Sequence, residues 1–357
     1  MKVDDVDAVV AVRDQVETII FSRIASRLET AGMISLNYRR LWSEIQRLMG
    51  AGGKRIRSRI VVLAYQMLGG KDVHSIIPVA AAHELLHMAM LIHDDIIDRD
   101  YIRYGVDNVA GSYNAIYTAS VADEASRLHY AHSAALLAGD LMLSEAYQLI
   151  ARADIDPARA IEVQKIFGRG IFEVVGGELL DTEAAFLDRV DLSSEQIALY
   201  KTASYTFMLP MLVGASLAGA TTSQRLRVVE FARNLGIAFQ LRDDVLGVFG
   251  DEADTGKTIT GDIREGKRTY MVEQFYELAS DTQKANFGQL FGKSDISDEE
   301  AEQVRGLLIE SGALDRTEQA IARYTEGARS ALNHLDVDRA FVGDIDELIV
   351  LATERRR

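Results

Sequence analysis

Residues 83–98, HELLHMAMLIHDDIID, contain two overlapping patterns of side chains that could carry chemistry. The first half spells HExxH followed by a later histidine, close to the pattern of zinc proteases. The second half spells DDxxD, and it places Asp94 and Asp98 four residues apart, so that their carboxylates project side by side from a helix. Mg²⁺ typically takes one or two carboxylates and completes its shell with water and substrate phosphates. The apolar surroundings of this acid cluster argue against a simple solvated face, because carboxylates there need a compensating charge.

The zinc-protease interpretation fails on geometry. At about 100° per residue, His83 and His87 share one face of a helix, whereas His93 lies roughly 280° round from His83. In the protease pattern a glycine lets the chain leave the helix before the third ligand, but Met90 stands in that place here. A two-histidine site with a carboxylate from elsewhere stays open. For His83 and His93, the simpler interpretation is that they are core histidines on a buried helix.

A second acid cluster lies far along the chain, in AFQLRDDVLGVFGD. Gln240, Asp243, Asp244 and Gly247 follow i, i+3, i+4, i+7 spacing and form a polar stripe. The apolar stripe of the same helix begins at Val228. Two carboxylate-bearing helices of this kind could face each other in a helical bundle and hold divalent ions.

Cationic side chains occur in three short segments. GGKRIR places Lys54 and Arg57 after paired glycines, YKT carries Lys201, and TGKTITGDIREGKRT carries Lys257 and Lys267. An acidic protein that binds a strongly anionic substrate needs this combination, in which metals bridge acids to phosphate and a few cations complete the clamp.

The elements that position these groups are predicted to be helices. The chain has 357 residues and only three prolines, and we find no linker rich in Ser, Gly or Pro, which favours one large all-α domain. Ser193-x-x-Gln196 and Ser297-x-x-Glu300 resemble capping boxes. Loops are expected at 51–53, 69–71, 103–112, 250–266 and 292–297.

Composition excludes several classes of function. The net charge of −15 argues against a nucleic-acid partner, and the absence of cysteine excludes disulfides, thiolate zinc sites and a cysteine nucleophile. The longest apolar window, 207–220, is shorter than the ~18 residues of a membrane span, so we expect a buried helix and no transmembrane segment. The acidic N-terminus is unlike a signal peptide. We therefore expect a cytoplasmic protein.

The motifs in their order resemble one family, the trans-isoprenyl diphosphate synthases or polyprenyl synthetases, and most of all its geranylgeranyl diphosphate synthases. The resemblance covers nearly the whole chain and is carried by GGKRIR (52–57), ELLHMAMLIHDDIID (84–98), GDLML (139–143), GGELLD (176–181), KT (201–202), FQLRDDVLGVFGD (239–251), TGK (255–257) and GK (266–267). It implies a single polyprenyl synthetase domain over 1–357, an all-α bundle around a central cavity (the isoprenoid synthase type I fold), and a homodimer.

The resemblance also implies the reaction. Members condense isopentenyl diphosphate with an allylic diphosphate (dimethylallyl, geranyl or farnesyl) by 1'-4 head-to-tail addition, with Mg²⁺, three ions per site. It assigns metal binding to Asp94, Asp98 and Asp243, the isopentenyl diphosphate site to Lys54, Arg57 and His87, the allylic diphosphate site to Arg103, Lys201, Lys257 and Lys267, and catalytic roles to Lys201, Thr202 and Gln240, the last two with oxygens facing the carbocation.

Product length is expected to depend on Ala89, Met90 and Leu86, which precede Asp94 by one to two helical turns. An aromatic residue at 89 or 90 resembles the C15 producers, so Ala89 leaves room for a C20 product, and Ala89→Phe is expected to shorten it to C15.

Two positions depart from the family pattern. Tyr104 stands where a second arginine is usual, and Gly247 stands where the third acid of the second motif is usual. The alternatives are a longer-chain synthase, a class I terpene cyclase, and a non-catalytic partner subunit.

Overall fold

The computed structural model describes residues 3–186, 193–250, 261–333, 335 and 337–354, and in them almost all regular structure is helical. The predicted all-α fold class is thus confirmed. The chain divides into two compact units, residues up to 62 with 70–164, and residues 63–69 with 165 onward. That 1–357 forms one domain stays a prediction.

The first unit is built from long helices and one small hairpin. Its elements are α1 (Val3–Ile34), α2 (Leu36–Ala51), the start of α3 (Ile56–Met67), α4 (Val73–Ile97), the antiparallel strands β1 (Ile102–Arg103) and β2 (Val106–Asp107), α5 (Val109–Ile116), α6 (Glu124–Arg152) and the start of α7 (Pro157–Phe186). Helix α4 is buried over most of its length and packs chiefly against α6. A buried carboxylate, Glu145, ties α6 to α1 by pairing with Arg27 at 2.6 Å and with Arg23.

The second unit contains the rest of α7 and the C-terminal elements. These are α8 (Ser194–Ile197), a π-helix (Ala198–Met208), α9 (Leu209–Ala218), α10 (Thr222–Phe249), α11 (Gly261–Glu265), α12 (Tyr270–Leu278), α13 (Asp281–Leu290), α14 (Asp298–Glu310), α15 (Ala313–Asn333), a 3₁₀ turn (Arg339–Phe341) and α16 (Val342–Thr353). Helix α10 packs against α15 and the π-helix. The predicted apolar stripe of this helix runs from Val228 to Phe239, and all its members are buried except Phe239, which is half-buried.

Local sequence signals set the helix starts. Both predicted capping boxes are present, at Ser193 with Gln196 and at Ser297 with Glu300. In each, the serine hydroxyl accepts a backbone N–H that the first turn leaves without a helical partner, and the Gln or Glu side chain accepts from the serine N–H.

Two predicted loops need correction. Residues 103–112 are not one loop, because they contain the hairpin and the first residues of α5. Within 250–266, residues 261–265 form α11, while 251–260, including Lys257, lie outside the described residues.

Within the described residues, only α4 is long and apolar enough to cross a membrane, and 72% of the window concerned is buried inside the protein. The window 207–220, singled out from the sequence, instead yields the buried helix α9. The core helix of a protein can be as long and apolar as a membrane-spanning helix, so α4 is only weak support for a membrane span.

Candidate active site

The second glycine of GGKRIR, Gly53, is required by Arg55, a residue to which the sequence assigned no role. The Arg55 guanidinium donates to Met49 O at 2.7 Å and to Gly52 O at 3.1 Å, and so satisfies carbonyls at the end of α2. A Cβ on Gly53, which has φ +113°, would lie 2.5 Å from Arg55 Nη1. The loop therefore closes around buried Arg55 and leaves Lys54 exposed at its tip, directly before α3.

Glu84 of the HExxH pattern caps helix α3. Its carboxylate is 3% exposed, and Oε1 accepts the Ser58 N–H at 2.8 Å. His83 is fully buried, its Nδ1 lies 2.9 Å from Val79 O, and burial lowers its pKa to about 4. Because Glu84 and His83 are engaged inside the protein, the pair is not arranged as the general base and ligand of a zinc protease.

His93 also has a packing role. Its imidazole lies against Gly139 of α6, where an added Cβ would come 2.1 Å from Nε2, and Nε2 lies 3.3 Å from Leu136 O. Gly139 of the GDLML motif therefore allows α6 to approach the His93 side of α4. The interpretation as a core histidine agrees with the burial of His83, but His93 is only half-buried and its Nε2 lies 3.7 Å from Asp140 Oδ1.

The first acid motif forms the last turn of α4. Asp94 is half-buried, and the Asp98 N–H donates to Asp94 O at 2.8 Å, so the two carboxylates stand one turn apart. Asp98 is exposed and lies directly after the helix. Oxygen ligands presented in this way are suited to Mg²⁺.

Arg103 is held over this motif by a carboxylate that the sequence reading did not assign. Its Nε donates to Asp95 Oδ1 at 2.8 Å, and its Nη2 contacts Asp95 and lies 3.3 Å from Asp94 Oδ2. Asp95 is 2% exposed; burial, only partly offset by Arg103, raises its pKa to about 6. The carboxylates raise the pKa of Arg103 in spite of its burial, so it remains charged. Adjacency to Asp94 was the only sequence signal for Asp95.

The hairpin brings Tyr104 onto the glycine loop. Tyr104 and Gly105 both have positive φ, 54° and 72°, the combination of a type I′ hairpin turn, which is uncommon for a bulky residue. A Cβ on Gly52 would lie 3.0 Å from Cγ of the Tyr104 ring. Tyr104 therefore packs on the loop that carries Lys54.

His87 lies in this cationic neighbourhood and is neutral at physiological pH. Burial, together with the charges of Arg57, Arg103 and Arg55, holds the pKa of His87 well below its usual range. A neutral imidazole can still donate one hydrogen bond. The first unit thus brings together Arg57, His87, Asp94 and Arg103, with Asp98 one turn after Asp94 and Lys54 exposed on the glycine loop.

In the second unit, the π-helix carries Lys201 and Thr202. Lys201 Nζ lies 2.6 Å from Asp181 Oδ2 and 3.1 Å from Glu178 Oε1, both in the GGELLD motif of α7. A Cβ on Gly177 would lie 2.2 Å from Lys201 N, so this glycine permits the close approach of the two helices. π-helical segments are rare and frequently occur at functional sites.

A chain of hydrogen bonds joins Thr202 to the second acid motif. The Thr202 hydroxyl donates to Gln240 Oε1, and Gln240 Nε2 donates to Asp244 Oδ1 at 2.7 Å. Burial raises the pKa of Asp244 to about 7. Asp243, the predicted ligand, is half-buried, whereas Asp244 is 6% exposed.

Lys267 is surrounded by carboxylates. Burial disfavours its ammonium, but Asp262, Asp244 and Asp181 outweigh that effect and raise its pKa above the usual range. Asp262 was missed from the sequence, where its only signal is its place five residues before Lys267. The second unit thus brings together Lys201, Thr202, Gln240, Asp243 and Lys267, with Lys257 outside the described residues.

The protein supplies few ligands to any one metal. No three His, Cys, Asp or Glu side chains form a metal-binding group in the described part of the chain. The oxygen donors Asp94, Asp98 and Asp243 fit Mg²⁺, whose shell would be completed by diphosphate oxygens and water.

The predicted chain-length residues differ in exposure. Ala89 and Leu86 are 0% and 1% exposed, whereas Met90 is half-buried. On the helix Met90 also lies about 40° from Asp94, and Ala89 about 140°.

Comparison with known proteins identifies the family. The polyprenyl synthetase family model matches residues 39–308. A geranylgeranyl diphosphate synthase of Sulfolobus acidocaldarius is 31% identical over 91% of this chain and 93% of its own, and a geranylfarnesyl diphosphate synthase of Aeropyrum pernix is 31% identical over 81% and 85%. The crystal structure of geranylgeranyl pyrophosphate synthase from Corynebacterium glutamicum, complexed with isoprenyl diphosphate and magnesium, is 30% identical, covers 98% of both chains and has a TM-score of 0.88. With a family model matched over most of its length and these relatives, the chain belongs to the polyprenyl synthetase family and is a trans-prenyltransferase.

Proposed function

We propose that this Mg²⁺-dependent trans-prenyltransferase makes geranylgeranyl diphosphate, C20, as its main product. The observation that carries the assignment of the site is the pairing of Arg103 with Asp94 and Asp95 at the end of α4. It places a fixed cation beside Asp94, one of the carboxylates assigned to metal, where the guanidinium could contact a diphosphate bridged by that metal.

Metal ions and cationic side chains would share the binding of the allylic diphosphate. Asp94, Asp98 and Asp243 would hold Mg²⁺, three ions per site as the resemblance implies. When bound, Mg²⁺ would stabilise the charge that develops on departing pyrophosphate. Arg103, Lys201, Lys257 and Lys267 would bind the diphosphate oxygens directly.

Isopentenyl diphosphate would bind at Lys54, Arg57 and His87. The lysine and arginine offer charge to its diphosphate, and the neutral imidazole of His87 adds a hydrogen bond. Holding the double bond near C1 of the allylic substrate makes the coupling effectively unimolecular.

The proposed reaction has three steps: ionisation of the allylic substrate, attack by the isopentenyl double bond, and loss of a proton. The allylic C1–O bond breaks, the electron pair leaves with pyrophosphate, and an allylic cation forms. The isopentenyl double bond attacks C1, and a proton is then lost to pyrophosphate, which regenerates a double bond. Thr202 and Gln240 would present oxygens to the cation, and their mutual hydrogen bond fixes both side chains.

Met90 and Leu86 support the proposed product length, because they are large residues one and two turns before Asp94, and Met90 is accessible. A longer product is the second candidate, since the relative from Aeropyrum pernix is a geranylfarnesyl diphosphate synthase.

A homodimer is supported by the surface of α7. Phe172, Val175 and Leu179 lie on one face at i, i+3 and i+7 and are 80%, 53% and 58% exposed, an apolar stripe that a second copy would cover. A cytoplasmic location remains the prediction made from the sequence.

Incubation of the purified chain with Mg²⁺, isopentenyl diphosphate and each allylic starter tests the proposal, with chromatography of the dephosphorylated products. Elongation to C20 supports it, and elongation past C20 supports the longer-chain alternative. Cyclised hydrocarbon would instead indicate a terpene cyclase, and no turnover a non-catalytic partner subunit.

A further inference from the structure

Gly247 on α10 faces a carboxylate from another helix. A Cβ added to Gly247 would lie 1.9 Å from Oδ2 of Asp262 and 2.8 Å from its Cγ. Real Cβ atoms do not approach that closely, so any side chain at 247 must displace the Asp262 carboxylate. The space next to Asp243 and Asp244, one turn along α10, is therefore filled from α11.

The backbone after Asp262 turns back toward it. Lys267 N donates to Asp262 O at 3.1 Å, and Gly266 between them adopts φ +66°, a conformation that favours glycine. The Gly292 N–H donates to Ile263 O at 2.8 Å and holds the turn. Lys267 and Asp262 are thus fixed on one short turn.

Charge links this turn to the second acid motif. Asp262 is the carboxylate that most favours the charged form of Lys267, ahead of Asp244, and it also acts on Asp244 itself. A carboxylate in this position both offsets the buried ammonium and limits where its flexible side chain can point.

We infer that Gly247 and Asp262 form a matched pair: Gly247 leaves the space in which the Asp262 carboxylate lies, and Asp262 positions Lys267 to bind the diphosphate. This rests on the proposed role of Lys267 in diphosphate binding. Asp262 supplies from α11 the carboxylate that position 247 lacks. Placing an acid at 247, as the family pattern usually has it, therefore impairs this chain.

The test exchanges the carboxylate between the two helices. Gly247→Asp, Asp262→Ala and the double variant are compared by calorimetric binding of inorganic pyrophosphate in the presence of Mg²⁺, by kcat and KM for the allylic diphosphate, and by Tm. Each single variant is expected to weaken pyrophosphate binding roughly tenfold or more, the scale of one charged hydrogen bond. The double variant is expected to recover to within roughly threefold of wild type, because one carboxylate again occupies the space.

Further variants separate positioning from packing. Asp262→Glu keeps the charge and is expected to retain more binding than Asp262→Asn, which keeps the shape. Gly288→Ala, on an exposed face of α13 with open space around it, is the matched helical-glycine control; it is expected to leave pyrophosphate binding, kcat and KM unchanged and to raise Tm slightly, because alanine favours the helix.

The inference is overturned if Gly247→Asp binds pyrophosphate as tightly as wild type, or if the double variant is no better than the worse single variant. If Gly247→Asp does not fold, Gly247→Ala decides: it must impair binding when Asp262 is present and have little further effect in Asp262→Ala. A wild-type chain that binds pyrophosphate with Mg²⁺ but yields no elongated product would contradict the proposed function and leave the exchange pattern to decide the inference.

Discussion

Replacement of Asp244 by asparagine should remove a large pH-dependent part of the protein's stability. Asp244 is 6% exposed on α10, and Gln240 Nε2 donates to its Oδ1 at 2.7 Å. Burial raises its pKa from 3.8 to about 7, while the charge of Lys267 and the hydrogen bond from Gln240 only partly offset burial. Asn keeps the shape and can still accept from Gln240, but it cannot ionise.

The direction in which stability changes with pH depends on whether the folded or the unfolded chain releases the Asp244 proton at lower pH. In the unfolded chain Asp244 ionises near pH 3.8, whereas in the folded chain it keeps its proton until about pH 7. The unfolded state therefore binds fewer protons between these values, and this group's contribution to stability is lost as pH rises through that window. Between pH 5 and pH 8, only the part below about pH 7 lies inside this window. These two pH units, at ~1.4 kcal/mol each, lower the free energy of unfolding of the wild type by about 3 kcal/mol.

Urea unfolding with a chelator, at pH 5 and pH 8, measures the effect. Relative to wild type, the free energy of unfolding of Asp244→Asn should rise by about 3 kcal/mol between the two pH values. Groups such as His83 and Asp95 titrate in both proteins and cancel in the difference. Asp295→Asn, at an exposed carboxylate, is the control and should show no such rise. If the free energy of unfolding of Asp244→Asn relative to wild type is the same at pH 5 and pH 8, the reasoning is refuted.

The remaining predictions concern the reaction. Asp94→Ala should lower kcat by orders of magnitude with little change in Tm, whereas His93→Ala should chiefly lower Tm, because it empties the space beside Gly139. Mg²⁺ or Mn²⁺ should support activity and Zn²⁺ should not. A zinc-dependent peptidase activity would contradict the assignment of the metal site. Tyr104→Arg should leave the KM for isopentenyl diphosphate equal or lower, since a guanidinium adds charge, but should lower Tm because the ring leaves Gly52; a sharply raised KM would argue against the proposed role. Met90→Phe should shorten the product to C15. Ala89→Phe, at a position with no exposed surface, should also shorten the product, but with a lower Tm from overpacking. If chromatography shows a C20 product from both variants, these residues of α4 do not limit the length of the product.

Local patterns predicted the elements well. The capping boxes at Ser193 and Ser297 and the apolar stripe of α10 depend on residues within one or two turns of each other, so the sequence contains the whole interaction. The same holds for Asp94 and Asp98, which lie one turn apart at the end of α4. Residues 103–112 were misread because a two-residue turn with positive φ at Tyr104 is not typical of that residue.

Contacts between distant segments could not be predicted in this way. The sequence offered Glu84 as part of a metal motif, but its role as the cap of α3 depends on Ser58, 26 residues earlier. The close approach of α7 to the backbone at Lys201 depends on Gly177, which lies on a different helix.

The sequence by itself determined the helical architecture, the two acid motifs and the cationic segments, because each is encoded by spacing along one helix or loop. Only the tertiary structure decided how those groups are held: Asp95 under Arg103, and Asp262 in the space left by Gly247. The physical reason is that burial, and the partner a buried charge must find, depend on segments that meet only when the chain is folded.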